Sequence, residues 1–244
     1  MKNLIFTLLL SIGALSYAQG IQTQINPSDL QSLNTYRSLN TESGFIDIED
    51  INGSPYLNDE FSKGKIFEKG EEQTVSAYMR YSIFMDKFEI KPNLYEDKVF
   101  SLKRSSNYEF YYDNTKVILI LNDEIFGKKD NGYLFVISES ADGYNIYKQY
   151  TQDFIAPKKA QTTYNSDRPA RLDTEVKYYI SKEPNKNLTL IEPHKRKILD
   201  AINSGDKSKV KDYIKSNGYK FKGDENEVER QLTSTIEFYN SILD

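Results

Sequence analysis

Carboxylates are the side chains that offer this 244-residue chain most scope for chemistry, because Asp and Glu together number 36. Two carboxyl groups roughly 5–9 Å apart suffice for glycoside hydrolysis, one as the acid and the other as base or nucleophile. Acidic residues cluster at 47–50, Asp59-Glu60, Glu96-Asp97 and Asp123-Glu124. Adjacent acids near turns are usually solvated, so a carboxylate-dependent hydrolase is an alternative that requires two of them to converge in one cleft.

One acidic stretch resembles a calcium loop but does not match its pattern. With Asp50 as the first position, the sixth is Pro55 instead of glycine and the twelfth is Phe61 instead of glutamate. The sequence therefore predicts no metal site.

Most other catalytic chemistries are excluded by residues that the chain lacks. His194 is the only histidine, and there is no cysteine to act as a nucleophile or to hold zinc or an iron–sulfur cluster. The chain has no Gly-x-Ser-x-Gly elbow and none of the glycine-rich loops that bind nucleotides and dinucleotides. We therefore predict no catalytic residue, no cofactor and no enzymatic activity.

The secondary structure predicted for residues 44–192, which would position any functional side chains there, consists mainly of strands. The clearest is an alternation of apolar residues on one side of an extended segment, at Val75, Ala77, Met79, Tyr81, Ile83 and Met85. The apolar run 117–121 predicts a central strand covered on both faces. Further strands are predicted at 134–137, 144–150, 176–180 and 188–191, with Asp142-Gly143 as a turn at positive φ and 156–170 as a long surface loop. Short turns between successive strands favour an antiparallel meander.

After Pro193 the apolar spacing becomes helical. One predicted helix is capped by Asp206 and ended by Gly218, and a last one carries Val228, Leu232, Ile236, Tyr239 and Leu243. Three lysines at Lys207, Lys211 and Lys215 recur every four residues, either as a solvated helix face or as a contact for an anionic surface such as lipid headgroups.

The N-terminus predicts export. Lys2 precedes an apolar run from Leu4 to Leu15, and Ser16-Tyr17-Ala18 supplies small residues before a cleavage site. About a dozen apolar residues are too few to span a bilayer, so we expect a signal peptide, no transmembrane segment after cleavage, and a periplasmic or secreted protein. The formal charge of −4, spread in mixed clusters, argues against nucleic acid as a partner.

These patterns predict an α+β protein: an antiparallel β meander, forming a partial barrel or sandwich, with a C-terminal helical segment. The predicted divisions are a signal peptide at 1–18, a linker or short helix at 19–43, the antiparallel β domain at 44–192, and C-terminal helices at 193–244 packed on the β domain.

Two motifs in the β domain resemble those of uncharacterised small exported proteins of Bacteroidota, of the flavobacterial type. The motifs are Gly53-Ser54-Pro55-Tyr56-Leu57 followed by Phe61, and Arg80-Tyr81 followed by Asp86 and Glu89. They correspond to G-S-P-Y-L-x-x-x-F and R-Y-N-x-Y-x-D-x-x-E, with Ser82 and Phe84 in place of the Asn and Tyr of the second pattern. The resemblance implies location and fold and supplies no catalytic residue.

Within these motifs, Tyr56, Arg80, Asp86 and Glu89 form the candidate interaction patch. Arg80 lies on the polar side of the strongest strand, and an ion pair across strands is the structural alternative to a ligand contact. The expected function is that of an exported, non-catalytic binding or structural module of the cell envelope, with an envelope protein as partner. The alternative is a periplasmic carrier of a lipid-like or other small apolar ligand, which would require an internal cavity.

Overall fold

A computed structural model describes residues 38–41, 44–47, 51–70, 74–102, 104–120, 132–160, 166–183, 187–202 and 204–243. Twelve strands lie in these ranges: β1 Ser38–Thr41, β2 Gly44–Asp47, β3 Ser62–Glu68, β4 Thr74–Ser82, β5 Lys87–Lys91, β6 Phe100–Ser101, β7 Tyr108–Tyr112, β8 Thr115–Ile120, β9 Gly132–Ser138, β10 Asn145–Ile155, β11 Arg171–Ser181 and β12 Thr189–Ile191. Three α-helices follow: α1 Lys195–Ala201, α2 Lys207–Ser216 and α3 Glu225–Ser241.

Ten strands form one open antiparallel sheet in the order β12-β11-β10-β9-β8-β7-β3-β4-β5-β6, and β1 and β2 form a separate pair. The predicted α+β class and antiparallel pairing are therefore confirmed. The predicted central strand is β8, which is buried on both faces from Val117 to Ile120 and lies fifth from one sheet edge.

The hairpins are short because their turn residues adopt left-handed backbone conformations. Asp113 and Asn114, at φ values of 47° and 61°, connect β7 to β8 in a two-residue turn of the type that matches sheet twist. Asp86, at φ 46°, ends the four-residue loop between β4 and β5. The alternating segment that the sequence extends to Met85 therefore ends at Ser82.

Aromatic side chains fill one side of the sheet. Tyr81, Phe88, Phe110 and Tyr133 are fully buried, and the ring centroids of Phe88 and Tyr133 are 5.0 Å apart. Phe88 belongs to β5 and Tyr133 to β9, which are not neighbours in the sheet. The sheet is therefore curved enough to bring the two strands together on its inner side.

A segment outside the strands joins two distant parts of this curved sheet. Asn52 exchanges backbone hydrogen bonds with the start of β11, and the Leu57 N–H donates to Tyr81 O on β4. Gly53 makes this path possible, since its φ is +99° and an added Cβ would lie 3.3 Å from Leu172 O. The first of the two sequence motifs thus has a structural role.

The helices cover the other part of the same sheet face. Their buried residues Val210, Leu232 and Ile236 belong to one cluster with Ile146 and Ile180 of β10 and β11. The C-terminal helices are therefore packed on the sheet. No helix in the described ranges is long and apolar enough to cross a membrane.

Several predictions have a different outcome or lie outside the described residues. The signal peptide at 1–18 lies outside them, and so does the predicted linker or short helix at 19–43, apart from strand β1 near its end. The Asp142-Gly143 turn does not use positive φ. Instead Gly143 lies against the Asn240 side chain, which a Cβ would displace. The predicted loop 156–170 contains a β-bridge between Lys158 and Arg168.

Gly64 tests the packing of the inner side. A Cβ added there would meet the Met79 side chain and lie 2.8 Å from Tyr111 O, so Gly64→Ala must displace the neighbouring strand. We expect the free energy of unfolding to fall by roughly 1–3 kcal/mol in urea denaturation. Gly205→Ala is the control, because nothing lies within 4 Å of its added Cβ. Equal effects of the two substitutions would contradict this account.

Candidate functional site

Arg80 and Glu89, two members of the predicted patch, form an ion pair across strands. They face each other in the β4–β5 register, with Arg80 Nη2 2.5 Å and Nε 3.2 Å from Glu89 Oε2. Their side chains are only 20% and 13% exposed. Of the two roles considered for Arg80, an ion pair across strands and a ligand contact, the geometry corresponds to the ion pair.

Tyr56 joins the same cluster through its ring and its hydroxyl. The Arg80 Cζ atom lies 3.7 Å from the Tyr56 ring centroid and 4.6 Å from that of Phe61, while the Tyr56 hydroxyl donates to Glu89 Oε1 at 3.3 Å. Burial and the adjacent Glu89 raise the pKa of Tyr56 to about 12, so the phenol stays protonated at neutral pH. We call Tyr56, Phe61, Arg80 and Glu89 the Arg80 cluster.

The donors of Arg80 are directed at the protein itself. Besides Glu89, its Nη1 donates to the Asp59 carbonyl at 2.9 Å. This arrangement fixes the segment around Tyr56 onto the β4–β5 hairpin and leaves the guanidinium little capacity for a ligand.

Asp86, the fourth predicted residue, lies in a different cluster. Its Oδ1 accepts hydrogen bonds from the Tyr81 hydroxyl at 2.6 Å and the Tyr133 N–H at 3.2 Å, and its Oδ2 lies 2.8 Å from Arg104 Nη2. Arg80 and Tyr81 are consecutive on β4 and so point to opposite sheet faces. The predicted patch is therefore divided between two faces.

The Tyr133 hydroxyl is buried next to Asp86. Tyr133 is fully buried, and its hydroxyl has no hydrogen-bond partner among the described residues. Burial and the nearby Asp86 raise the pKa of Tyr133, which keeps the hydroxyl neutral. We call Tyr81, Asp86, Arg104 and Tyr133 the Asp86 cluster.

Two carboxylates that the sequence analysis missed converge between the sheet and α3. Lys148 Nζ lies 2.9 Å from Glu225 Oε1 and 2.6 Å from Glu229 Oε1, and the Tyr150 hydroxyl donates to Glu225 Oε1 at 2.5 Å. The i, i+4 spacing of the two glutamates was visible in the sequence, but their partner on β10 was not. These four residues form the Lys148 cluster.

The pKa values of the two glutamates move in opposite directions. Burial raises the pKa of Glu229 despite its bond to Lys148. Burial also acts on Glu225, but hydrogen bonds from Tyr150 and Lys148 outweigh it and lower the pKa. Two carboxyl groups with different pKa values could act as an acid and a base in catalysis. Here, however, both carboxylates are ion-paired with Lys148.

A groove of about 710 Å³ lies on the outer face of β3, β4 and β7. Its lining residues are Lys63, Gly64, Lys65, Phe67, Ser76, Glu109, Tyr111 and Asn114. The rings of Phe67 and Tyr111 meet edge to face with centroids 5.3 Å apart, and Tyr111 is 40% exposed. The groove volume is within the usual range for ligand sites.

The two lysines that line the outer groove differ from its glutamate in having no ion-pair partner among the described residues. Lys63 and Lys65 are exposed and form no ion pair within the described part of the chain, whereas Glu109 lies between Lys69 and Lys116 at 4.0 and 3.7 Å. The sequence analysis missed this groove, for which the alternation of Lys63, Lys65 and Phe67 is the only available signal.

Within the described ranges, no three His, Asp or Glu side chains are grouped closely enough to hold a metal ion. Comparison of the chain with known protein families, curated proteins and solved structures gives no match.

The Arg80 cluster predicts a large stability effect. Arg80→Leu leaves the Glu89 carboxylate largely buried without its cation, so we expect the free energy of unfolding to fall by roughly 2–3 kcal/mol. Arg171→Leu is the control, because Arg171 and Asp173 form an ion pair at 50% and 62% exposure. Its effect should stay within about 0.5 kcal/mol in urea denaturation. A loss no larger than the control's would show that the cluster does not hold the segment.

The Lys148 cluster predicts a pH-dependent stability effect. Lys148→Met leaves Glu225 and Glu229 facing each other, and their repulsion disappears as they take up protons. Because the pKa of Glu229 is raised in the folded state, protonation of Glu229 as the pH falls favours folding. Because the pKa of Glu225 is lowered, ionised Glu225 stabilises the folded state, and this stabilisation is lost only at lower pH. The deficit should therefore be roughly 2–4 kcal/mol at pH 7 and shrink toward pH 4.

The control for this pH series is Lys197→Met, which removes the exposed ion pair with Glu192 at 52% and 59% exposure. Its small effect should vary little over the same range. Urea denaturation curves of both variants and of the original chain at pH 7, 5.5 and 4 measure the loss of unfolding free energy at each pH. A Lys148→Met deficit that stays constant with pH would contradict the assignment.

Proposed function

We propose that this protein is an exported, non-catalytic binding module of the cell envelope, which binds an acidic, extended segment of a partner protein in its outer groove. The observation that carries the proposal is the row of Lys63, Lys65 and Phe67 along one strand face, with neither lysine paired to a carboxylate in the described residues.

The spacing of this row suits an extended chain. Residues i and i+2 of a strand lie roughly 6.6 Å apart on the same face, and the same repeat separates alternate side chains of any extended peptide. Carboxylates at alternate positions of a bound segment would therefore meet Lys63 and Lys65 together. An apolar side chain two positions further would contact Phe67 and Tyr111.

The two alternatives have less support. An apolar carrier needs space inside the curved sheet, where Tyr81, Phe88 and Tyr133 instead contact one another with centroids 5.0 to 5.9 Å apart. A carboxylate-dependent hydrolase needs two acids facing a substrate, whereas Glu225 and Glu229 face Lys148.

Export rests on the signal-like residues 1–18 and on the resemblance to exported proteins of Bacteroidota. The finer architecture that we propose is a partial barrel. It is supported by the Asn52–Leu57 segment, whose backbone hydrogen bonds run to β11 at one end and to β4 at the other.

Peptide binding tests the proposal. The probe is the labelled peptide Glu-Ser-Glu-Ser-Phe-Ser, with Gln-Ser-Gln-Ser-Phe-Ser as its neutral counterpart, followed by fluorescence anisotropy at 0.1 M salt. We expect the acidic peptide to bind about tenfold more tightly, since each exposed charge pair contributes a few tenths to about 1 kcal/mol. Lys63→Glu combined with Lys65→Glu should reverse the preference toward Lys-Ser-Lys-Ser-Phe-Ser.

The matched control is Lys158→Glu combined with Lys159→Glu, which makes the same charge change at exposed residues of another loop. It should keep the original preference. Equal losses in the two double variants, or equal binding of the acidic and neutral peptides, would overturn the proposal.

A further inference from the structure

Positive charge is concentrated in the part of the chain that contains α1 and α2, whereas α3 is acidic. Residues 195–222 contain nine Lys and Arg against three Asp, a net charge of +6 in a chain whose total is −4. The remainder therefore carries −10. Such asymmetry is a physical basis for association with an oppositely charged surface.

Some of these cations lie in the first turns of α1 and α2, where the helix dipole disfavours positive charge. Neither α1 nor α2 has an acidic residue in its first turn, although acids are favoured there by the helix dipole, and both begin with lysine, at Lys195 and Lys207. By contrast, α3 begins with Glu225 and is capped by the Asp224 side chain. The His194 side chain accepts from the Arg196 N–H at the start of α1, and Asp206 occupies the N-cap position of α2. Even so, the first turns of both helices carry lysine and no acidic residue, unlike that of α3.

The lysines on α2 also repel one another. Lys207, Lys211 and Lys215 follow at intervals of four, an arrangement in which like charges destabilise a helix. Lys211 and Lys215 are exposed, and none of the three forms an ion pair in the part of the chain that the structure describes. A helix face that only meets water gains nothing from this arrangement, and residues that break a local stability rule commonly mark function.

The apolar side of α2 is already used by the core. Val210 and Ile214 are buried in the cluster beneath the helices. The helix therefore has no free apolar stripe to insert, and a partner would be held through charge alone.

We propose that the face formed by α1 and α2, which we call the cationic face, docks the protein on an anionic phospholipid bilayer. Eight of the nine cations in 195–222 are lysines, whose point charges suit a diffuse layer of phosphates better than the bidentate recognition typical of arginine. The large exposed apolar side chains of the described chain all lie outside this region, and its two partly exposed aromatic rings, Tyr213 and Tyr219, pack against each other, with Tyr213 also stacked on Phe238. No row of free rings is therefore present for stacking on bases. A bilayer requires neither feature.

Vesicle co-sedimentation tests the docking. The probe is the processed full chain, recovered from an exporting host, with phosphatidylcholine vesicles that contain or lack 30% phosphatidylglycerol. We expect binding only to the anionic vesicles at 0.1 M NaCl and its loss at 1 M, where the screening length falls to roughly 3 Å. Changing Lys207, Lys211 and Lys215 together to Gln should weaken partitioning about a hundredfold, roughly fivefold for each lysine.

The matched control changes Lys158, Lys159 and Lys182, exposed lysines outside the helices, to Gln with the same loss of charge. It should retain at least a third of the affinity. Circular dichroism confirms that both triple variants fold. Equal losses in the two variants, salt-independent binding, or binding to heparin or single-stranded DNA without binding to anionic vesicles would each overturn the proposal.

Discussion

The Asp86 carboxylate connects two distant strands of the curved ten-stranded sheet. One oxygen accepts from Tyr81 on β4 and from the Tyr133 backbone on β9, strands that have three others between them in the sheet. A partly buried carboxylate needs such partners to offset its lost hydration. Asp86 has a left-handed backbone conformation, and the rings of Tyr81, Phe88 and Tyr133 meet on the same inner side of the sheet.

Because rings fill the inner side, the surfaces open to a partner lie elsewhere. The outer groove is on the opposite face of β3, β4 and β7, and the cationic face is on the helices beyond β10. Both surfaces are lysine-rich in a chain that is acidic overall. Aromatic side chains on the inner side thus hold the sheet together, and we assign partner binding to the charged side chains on the outside.

The polar residues that looked most suited to chemistry contribute to cohesion instead. The chain has no disulfide, and charge clusters connect its parts: the Arg80 cluster joins the Asn52–Leu57 segment to β4 and β5, and the Lys148 cluster joins α3 to β10. Each cluster combines an ion pair with a tyrosine, which supplies apolar contact and a hydrogen bond from one side chain. The resemblance motifs from Gly53 to Glu89 have the same structural character.

Local patterns of residues predicted most of the secondary-structure elements. Alternation predicted β4, and an unbroken apolar run predicted the central strand β8. The bounds of α2 agree with the Asp206 and Gly218 signals, although the Asp206 side chain makes no capping hydrogen bond. An ion pair of Arg80 across strands was also expected, and the structure identifies Glu89, not Asp86, as the partner. The contacts between distant residues emerge from the folded chain alone: Asp86 with Tyr133, and Lys148 with Glu225 and Glu229. Periodicity reports which face of an element is apolar, whereas these contacts depend on sheet curvature and on helix docking, which no local pattern encodes.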